Sequence, residues 1–138
     1  MLGAASAGAP YPDLCLRRPI FHRQMGWLAE HGYEAVTLAA HTIHHLDLTE
    51  LDASELREEV AGSRAILRRE YGVQVDNFCY PAGRFDETVI AAVKEAGYLG
   101  ATTEIAGYAT RDSPYELARF EILGSGGVAA MAADLSSG

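Results

Sequence analysis

The chain has 138 residues, 49% of them apolar and 22% charged, the balance of an ordinary globular protein of roughly one domain. No run approaches the roughly 18 to 20 consecutive apolar residues needed to cross a bilayer, so no transmembrane segment is expected. The formal net charge is −8, with the arginines and lysine scattered among acids, which excludes a nucleic-acid footprint and leaves a neutral or cationic substrate easier to accommodate.

The opening stretch MLGAASAGAPYPDLCL has no early Lys or Arg and no compact Leu/Val-rich core, so it does not read as a complete secretory signal. Residues 1–18 are expected to form a poorly ordered N-terminal segment. Cys15 and Cys79 lack CxxC spacing, which argues against a zinc ribbon or redox motif. Two isolated thiols are favoured over a disulfide.

From Pro19 to Tyr33, Ile20, Phe21, Met25, Leu28 and Ala29 recur at helical spacing, with Pro19 suited to a first turn and Gly32 to a stop. Glu34–Leu38 is short and β-prone and predicts a buried strand. Asp52 and Glu55 have the spacing of a capping box. Leu56, Val60, Ser63, Leu67 and Tyr71 then fall on one face of a helix that ends at Gly72.

Val75–Tyr80 predicts a strand closed by Pro81 and Gly83. Asp86 can cap the next helix, whose apolar face is Val89, Ile90, Val93 and Ala96 and whose stop is Gly97. Leu99–Thr103 and Arg119–Leu123 are two further strand candidates, and Val128–Leu135 a last helix, followed by a disordered tail over 136–138. Helices alternating with short apolar strands predict an α/β protein with about four mainly parallel strands and flanking helices, too few for a closed eight-stranded barrel of at least ~200 residues.

Just past the first expected strand lies HTIHH. His41 and His45, four positions apart, fit one face of a helical turn and can share a divalent cation. His41 and His44 could pair instead, and a three-histidine loop is more often a surface or capping feature than a metal site. A metal centre of this kind usually needs a carboxylate as third ligand. Asp47 is near in sequence, which is weak ground for ligation.

The segments HTIHHLDLTELD, FCYPAGRFDETVIAAVKEAGY and GATTEIAGYATRDSPYELARFEI together resemble consecutive parts of the polysaccharide deacetylase (NodB-homology, carbohydrate esterase family four) proteins. The resemblance implies a partial (β/α) barrel over residues 19–135. It also implies a metal-dependent hydrolase of non-peptide carbon–nitrogen bonds, removing acetyl groups from the N-acetylated sugars of a cell-wall or exopolysaccharide glycan. The family's H-S/T-x-x-H motif maps onto His41, Thr42 and His45, which makes the two histidines ligands of a divalent metal, zinc by preference, and Thr42 a stabiliser of the loop.

A second family motif, R-x-P-Y/F-G, corresponds to Cys79-Tyr80-Pro81-Ala82-Gly83, with Cys79 in place of Arg and Ala82 in place of the aromatic residue. By resemblance, the backbone N–H of Ala82 is the oxyanion donor, and Tyr80, Pro81 and Gly83 belong to the substrate-binding loop. Arg84 is a candidate to compensate for the missing arginine, against its reading as an exposed loop residue. The T-F-D-D-G motif, whose aspartates serve as general base and third metal ligand, has no counterpart, since no Asp-Asp pair occurs in the chain.

FHRQMGWLAEHGYEAVTL resembles the stretch that precedes that aspartate motif in a circularly permuted branch of the family, which marks the residues between Leu38 and His41 as a junction where a segment is missing. The expectation is therefore a metal site one ligand short. The other reading is a non-catalytic deacetylase-like module that binds glycan or completes its barrel as a homo-oligomer through exposed sheet edges. Family members usually act outside the cytoplasm or at the cell surface.

Overall fold

A computed structural model describes residues 18–33, 39–120 and 126–136. The expected strand over 34–38, the rest of the expected N-terminal segment, residues 121–123 of the fourth expected strand and the last two residues of the tail lie outside them. The chain divides into two compact units, one formed by Val36–Arg119 and the other by Met1–Ala35 with Phe120–Gly138.

In the second of these units, helix α1 (Arg18–Glu30) packs on helix α5 (Gly127–Ser136). Pro19 sits in the first turn of α1, where a missing N–H costs nothing. Gly32 ends the helix at φ +81°, with the Gly32 amide donating to Ala29 and that of Tyr33 to Leu28. That pattern is a Schellman stop. Gln24 and Met131 are buried, and the Gln24 side-chain amide reaches the carbonyl of Gly127 at 3.4 Å.

The larger unit is built on three parallel strands in the order β1-β2-β3: β1 (Ala39–Ala40), β2 (Asn77–Cys79) and β3 (Gly100–Thr102). Between β1 and β2 a continuous helical run comprises α2 (Ala53–Arg57), a π-helical stretch over Glu58–Gly62, and α3 (Ser63–Tyr71). The capping box forms as its spacing predicts: Asp52 accepts from the Ser54 and Glu55 amides, and the Glu55 carboxylate takes the Asp52 amide at 3.1 Å. Between β2 and β3 lies α4 (Glu87–Glu95), capped by Asp86 through the Val89 amide and stopped at Gly97.

The helices bury Leu56, Val60, Val89 and Val93 against Phe78, Tyr80, Tyr98 and Val75. At about 1.5–3 kcal/mol for each large apolar side chain removed from water, this cluster is the main source of the unit's stability. Arg64 ties the layers together: Nε donates to the Val75 carbonyl at 2.8 Å, Nη1 donates to that of Ala96 at 2.7 Å, and the guanidinium lies over the Tyr98 ring.

Of the fourth strand expected over Arg119–Leu123, only Arg119 and Phe120 are among the described residues, and neither is in a strand. The outer edge of β3 is instead lined by the preceding segment, through Ala101 to Pro114, Leu117 to Ala101 and Thr103 to Leu117, with a single parallel bridge between Thr102 and Leu117. A proline in that segment supplies a carbonyl but no N–H, which limits the pairing to an irregular edge.

A candidate metal-binding histidine turn

Because β1 and β2 run parallel as neighbours, the loops leaving their C-terminal ends emerge side by side. The first carries His41 to Asp47. The second is a tight turn over Pro81–Gly83. In parallel α/β sheets this end is where ligand sites are built.

The HTIHH stretch is not helical; it is a turn in which Thr42 (φ +63°) and His45 (φ +59°) both take the left-handed conformation. Helical spacing therefore does not bring the imidazoles together, as the sequence suggested; the reversal of the chain does. The His45 amide donates to Thr42 Oγ1 at 3.0 Å and closes the turn. The rings of His41 and His45 then meet edge to face, with centroids 4.8 Å apart.

His44 points elsewhere. Its Nδ1 pairs with Glu59 Oε1 at 2.5 Å, while the other carboxylate oxygen accepts the amides of Ile43 at 2.8 Å and His44 at 3.0 Å. Of the two pairings left open by the sequence, His41 with His45 is the one in contact. Burial pushes the Glu59 carboxyl up, but the His44 amide and ring and the Ile43 amide outweigh it and hold the group below its ordinary value.

His41 Nδ1 lies 2.8 Å from the carbonyl oxygen of Cys79. A carbonyl can only accept, so Nδ1 carries the proton and the lone pair of the neutral ring is at Nε2, the state of a metal-ligating imidazole. The Cys79 side chain is the main influence raising the His41 pKa, against an opposing effect of burial. Burial pushes the Cys79 thiol up, yet His41 and Thr102 bring it below the ordinary value. Cys79 is a free thiol.

In the second loop, Ala82 is exposed at the apex with φ +51° and ψ +24°, and Gly83 follows at φ +64° with its backbone against Glu104. Pro81 is buried. Tyr80 is fully buried, its hydroxyl donating to the Tyr115 carbonyl at 2.9 Å, so its side chain sits in the core beneath the loop. Arg84 is exposed and pairs with Asp47 Oδ2 at 2.5 Å. Asp47 also accepts from the Thr49 amide and hydroxyl through Oδ1. Both residues thus serve a salt bridge between the two loops.

As a test of fit for a metal, His41 and His45 offer two donors. Among the described residues no cluster of three His, Cys, Asp or Glu side chains could hold an ion. Two donors are fewer than the three protein ligands that a catalytic zinc site usually has.

Sequence reasoning missed Glu59 and the Cys79 carbonyl. Glu59 left a signal, for it falls three positions after Leu56 and beside Val60, on the apolar stripe of its helix. The carbonyl left none, because every residue has one.

The polysaccharide deacetylase family model matches residues 24–101. YxkH of Bacillus subtilis (strain 168), which carries a polysaccharide deacetylase name, is 36% identical over 90 residues, 64% of this chain and 31% of that protein. The chain thus spans about a third of that relative. Two solved structures share the fold. A Streptococcus pyogenes deacetylase has a TM-score of 0.60 at 22% identity, covering 68% of this chain and 42% of that one. A polysaccharide deacetylase from Bacillus cereus has a TM-score of 0.58 at 24% identity, covering 84% and 36%. The three parallel strands with their helices are accordingly part of a deacetylase-type (β/α) fold, and the chain belongs to the polysaccharide deacetylase family.

Proposed function

We propose that this chain contributes two metal-ligating histidines, His41 and His45, to a deacetylase that removes acetyl groups from N-acetylated cell-wall or exopolysaccharide sugars, outside the cytoplasm or at the cell surface. The observation that carries this reading is the meeting of the two imidazoles at the C-terminal end of the sheet, with the lone pair of His41 left at Nε2 by the Cys79 carbonyl. When bound there, a divalent ion such as zinc supplies Lewis acidity toward the acetyl carbonyl. His41 and His45 hold and orient it, and the third donor and the general base come from outside the described residues. The turn at Pro81–Gly83 follows closely on Cys79, whose carbonyl holds His41, and by family resemblance the Ala82 N–H is the group assigned to the developing oxyanion. Arg84, through Asp47, fixes one loop against the other.

The incomplete ligand set favours one other reading, a non-catalytic module that binds glycan or assembles as a homo-oligomer. Acetate release from N-acetylglucosamine oligomers, measured with zinc titrated into the purified chain beside His41→Ala and His45→Ala, separates the two. Zinc-dependent release lost in both variants supports the enzyme. Release no greater than that of the variants removes it and leaves the binding module.

A further inference from the structure

Glu59 is a carboxylate only 4% exposed, on the helix face that packs under the histidine turn. It belongs to the π-helical stretch Glu58–Gly62, a local widening of the helix that is rare and often found at functional sites. Its two oxygens divide the contacts: one takes the consecutive amides of Ile43 and His44, the other the ring of His44. These contacts fall between Thr42 and His45, two L-residues of the turn held in the left-handed conformation. Such residues persist only where their surroundings over-determine them.

We infer that Glu59 is the positioning residue of the histidine turn, its carboxylate fixing the reversal that presses His45 onto His41 and turns His44 away. The inference rests on the reading of His41 and His45 as metal ligands for its functional consequence, but not for its geometry. With the acceptor gone, the Ile43 and His44 amides lose their partner and the turn relaxes. The two rings then cease to share one point in space. Groups hydrogen-bonded directly to metal ligands typically change affinity by about 10- to 100-fold when removed, and Glu59, which acts through the backbone between the two histidines, should fall at the lower end of that range.

The test uses the full chain, isotopically labelled, as wild type, Glu59→Ala, Glu59→Leu and Glu59→Gln. Leucine preserves buried volume without an acceptor, and glutamine restores an acceptor without the charge. Two readouts are taken: ring-to-ring nuclear Overhauser effects between His41 and His45 together with amide exchange at Ile43 and His44 in metal-free protein, and zinc affinity by calorimetry. In the Ala and Leu variants the ring contact should vanish, the two amides should exchange faster, and zinc binding should weaken about tenfold or more. Glutamine should recover part of all three. If either acceptorless variant folds and keeps the ring contact and slow exchange, the inference is overturned. If wild type binds no zinc, the metal reading fails, and the ring contact and amide exchange alone decide the role of Glu59.

Discussion

The imidazole of His41 is held by the main chain of Cys79, Nδ1 to carbonyl oxygen at 2.8 Å, across the β1–β2 boundary. The thiol of the same residue acts separately, raising the pKa of the ring. A substitution at position 79 therefore divides the two effects, because it removes the thiol and leaves the carbonyl.

Cys79→Ala should bring the His41 pKa down toward its ordinary 6.5 while the proton of the neutral ring stays on Nδ1. Ring nitrogen shifts followed across pH report both quantities. A tautomer that moves to Nε2 in the variant would mean that the carbonyl does not set it.

Asp47→Asn should destabilise the larger unit at neutral pH. The Asp47 carboxyl is held below its ordinary 3.8 by Thr49 first and then by Arg84. A depressed carboxyl stabilises the fold fully above its unfolded value, and that contribution is lost as pH falls through the folded one. The gap in melting temperature between wild type and variant should accordingly be widest near pH 7 and close below 3.8. A gap that persists in acid would assign the effect to something other than the charge.

Ala82 and Gly83 should respond in opposite directions to substitution. Gly83→Ala places a Cβ 2.9 Å from that of Glu104 at φ +64°, and should cost at least about 1–2 kcal/mol. Ala82→Gly relieves a left-handed L-residue and should be neutral or stabilising by up to about 1 kcal/mol. Urea midpoints of the two variants give the comparison, and equal shifts of the same sign would contradict it.

Arg64→Met keeps much of the side-chain length but strips the Val75 and Ala96 carbonyls of their donor. Loss of hydrogen bonds from a largely buried guanidinium should cost about 2–3 kcal/mol in denaturant unfolding. A loss below about 0.5 kcal/mol, the size of an ordinary surface change, would show that these carbonyls find other partners.

Much of the architecture is legible in the chain because its signals are local. The Asp52–Glu55 box, the Asp86 cap and the stops at Gly32, Gly72 and Gly97 each act within one turn of helix, so a few neighbouring residues specify them. The stripe beginning at Leu56 marks the buried face through Val60 and Ser63 to the half-buried Leu67 but fails at Tyr71, which is exposed, and it does not announce the π-helical widening. The histidine motif and the Pro81–Gly83 turn identify the two loops of the site.

What the sequence could not supply is how those loops are held. His41 meets a carbonyl 38 positions away, His44 a carboxylate 15 positions away, and Arg84 an aspartate 37 positions away. Each contact depends on the register of β1 against β2 and on the helical run that joins them, and neither is encoded near the residues concerned. Composition and periodicity determine which elements form, because those forces act along the chain. Which histidine faces which is decided only when parallel pairing brings the two loops to the same end of the sheet.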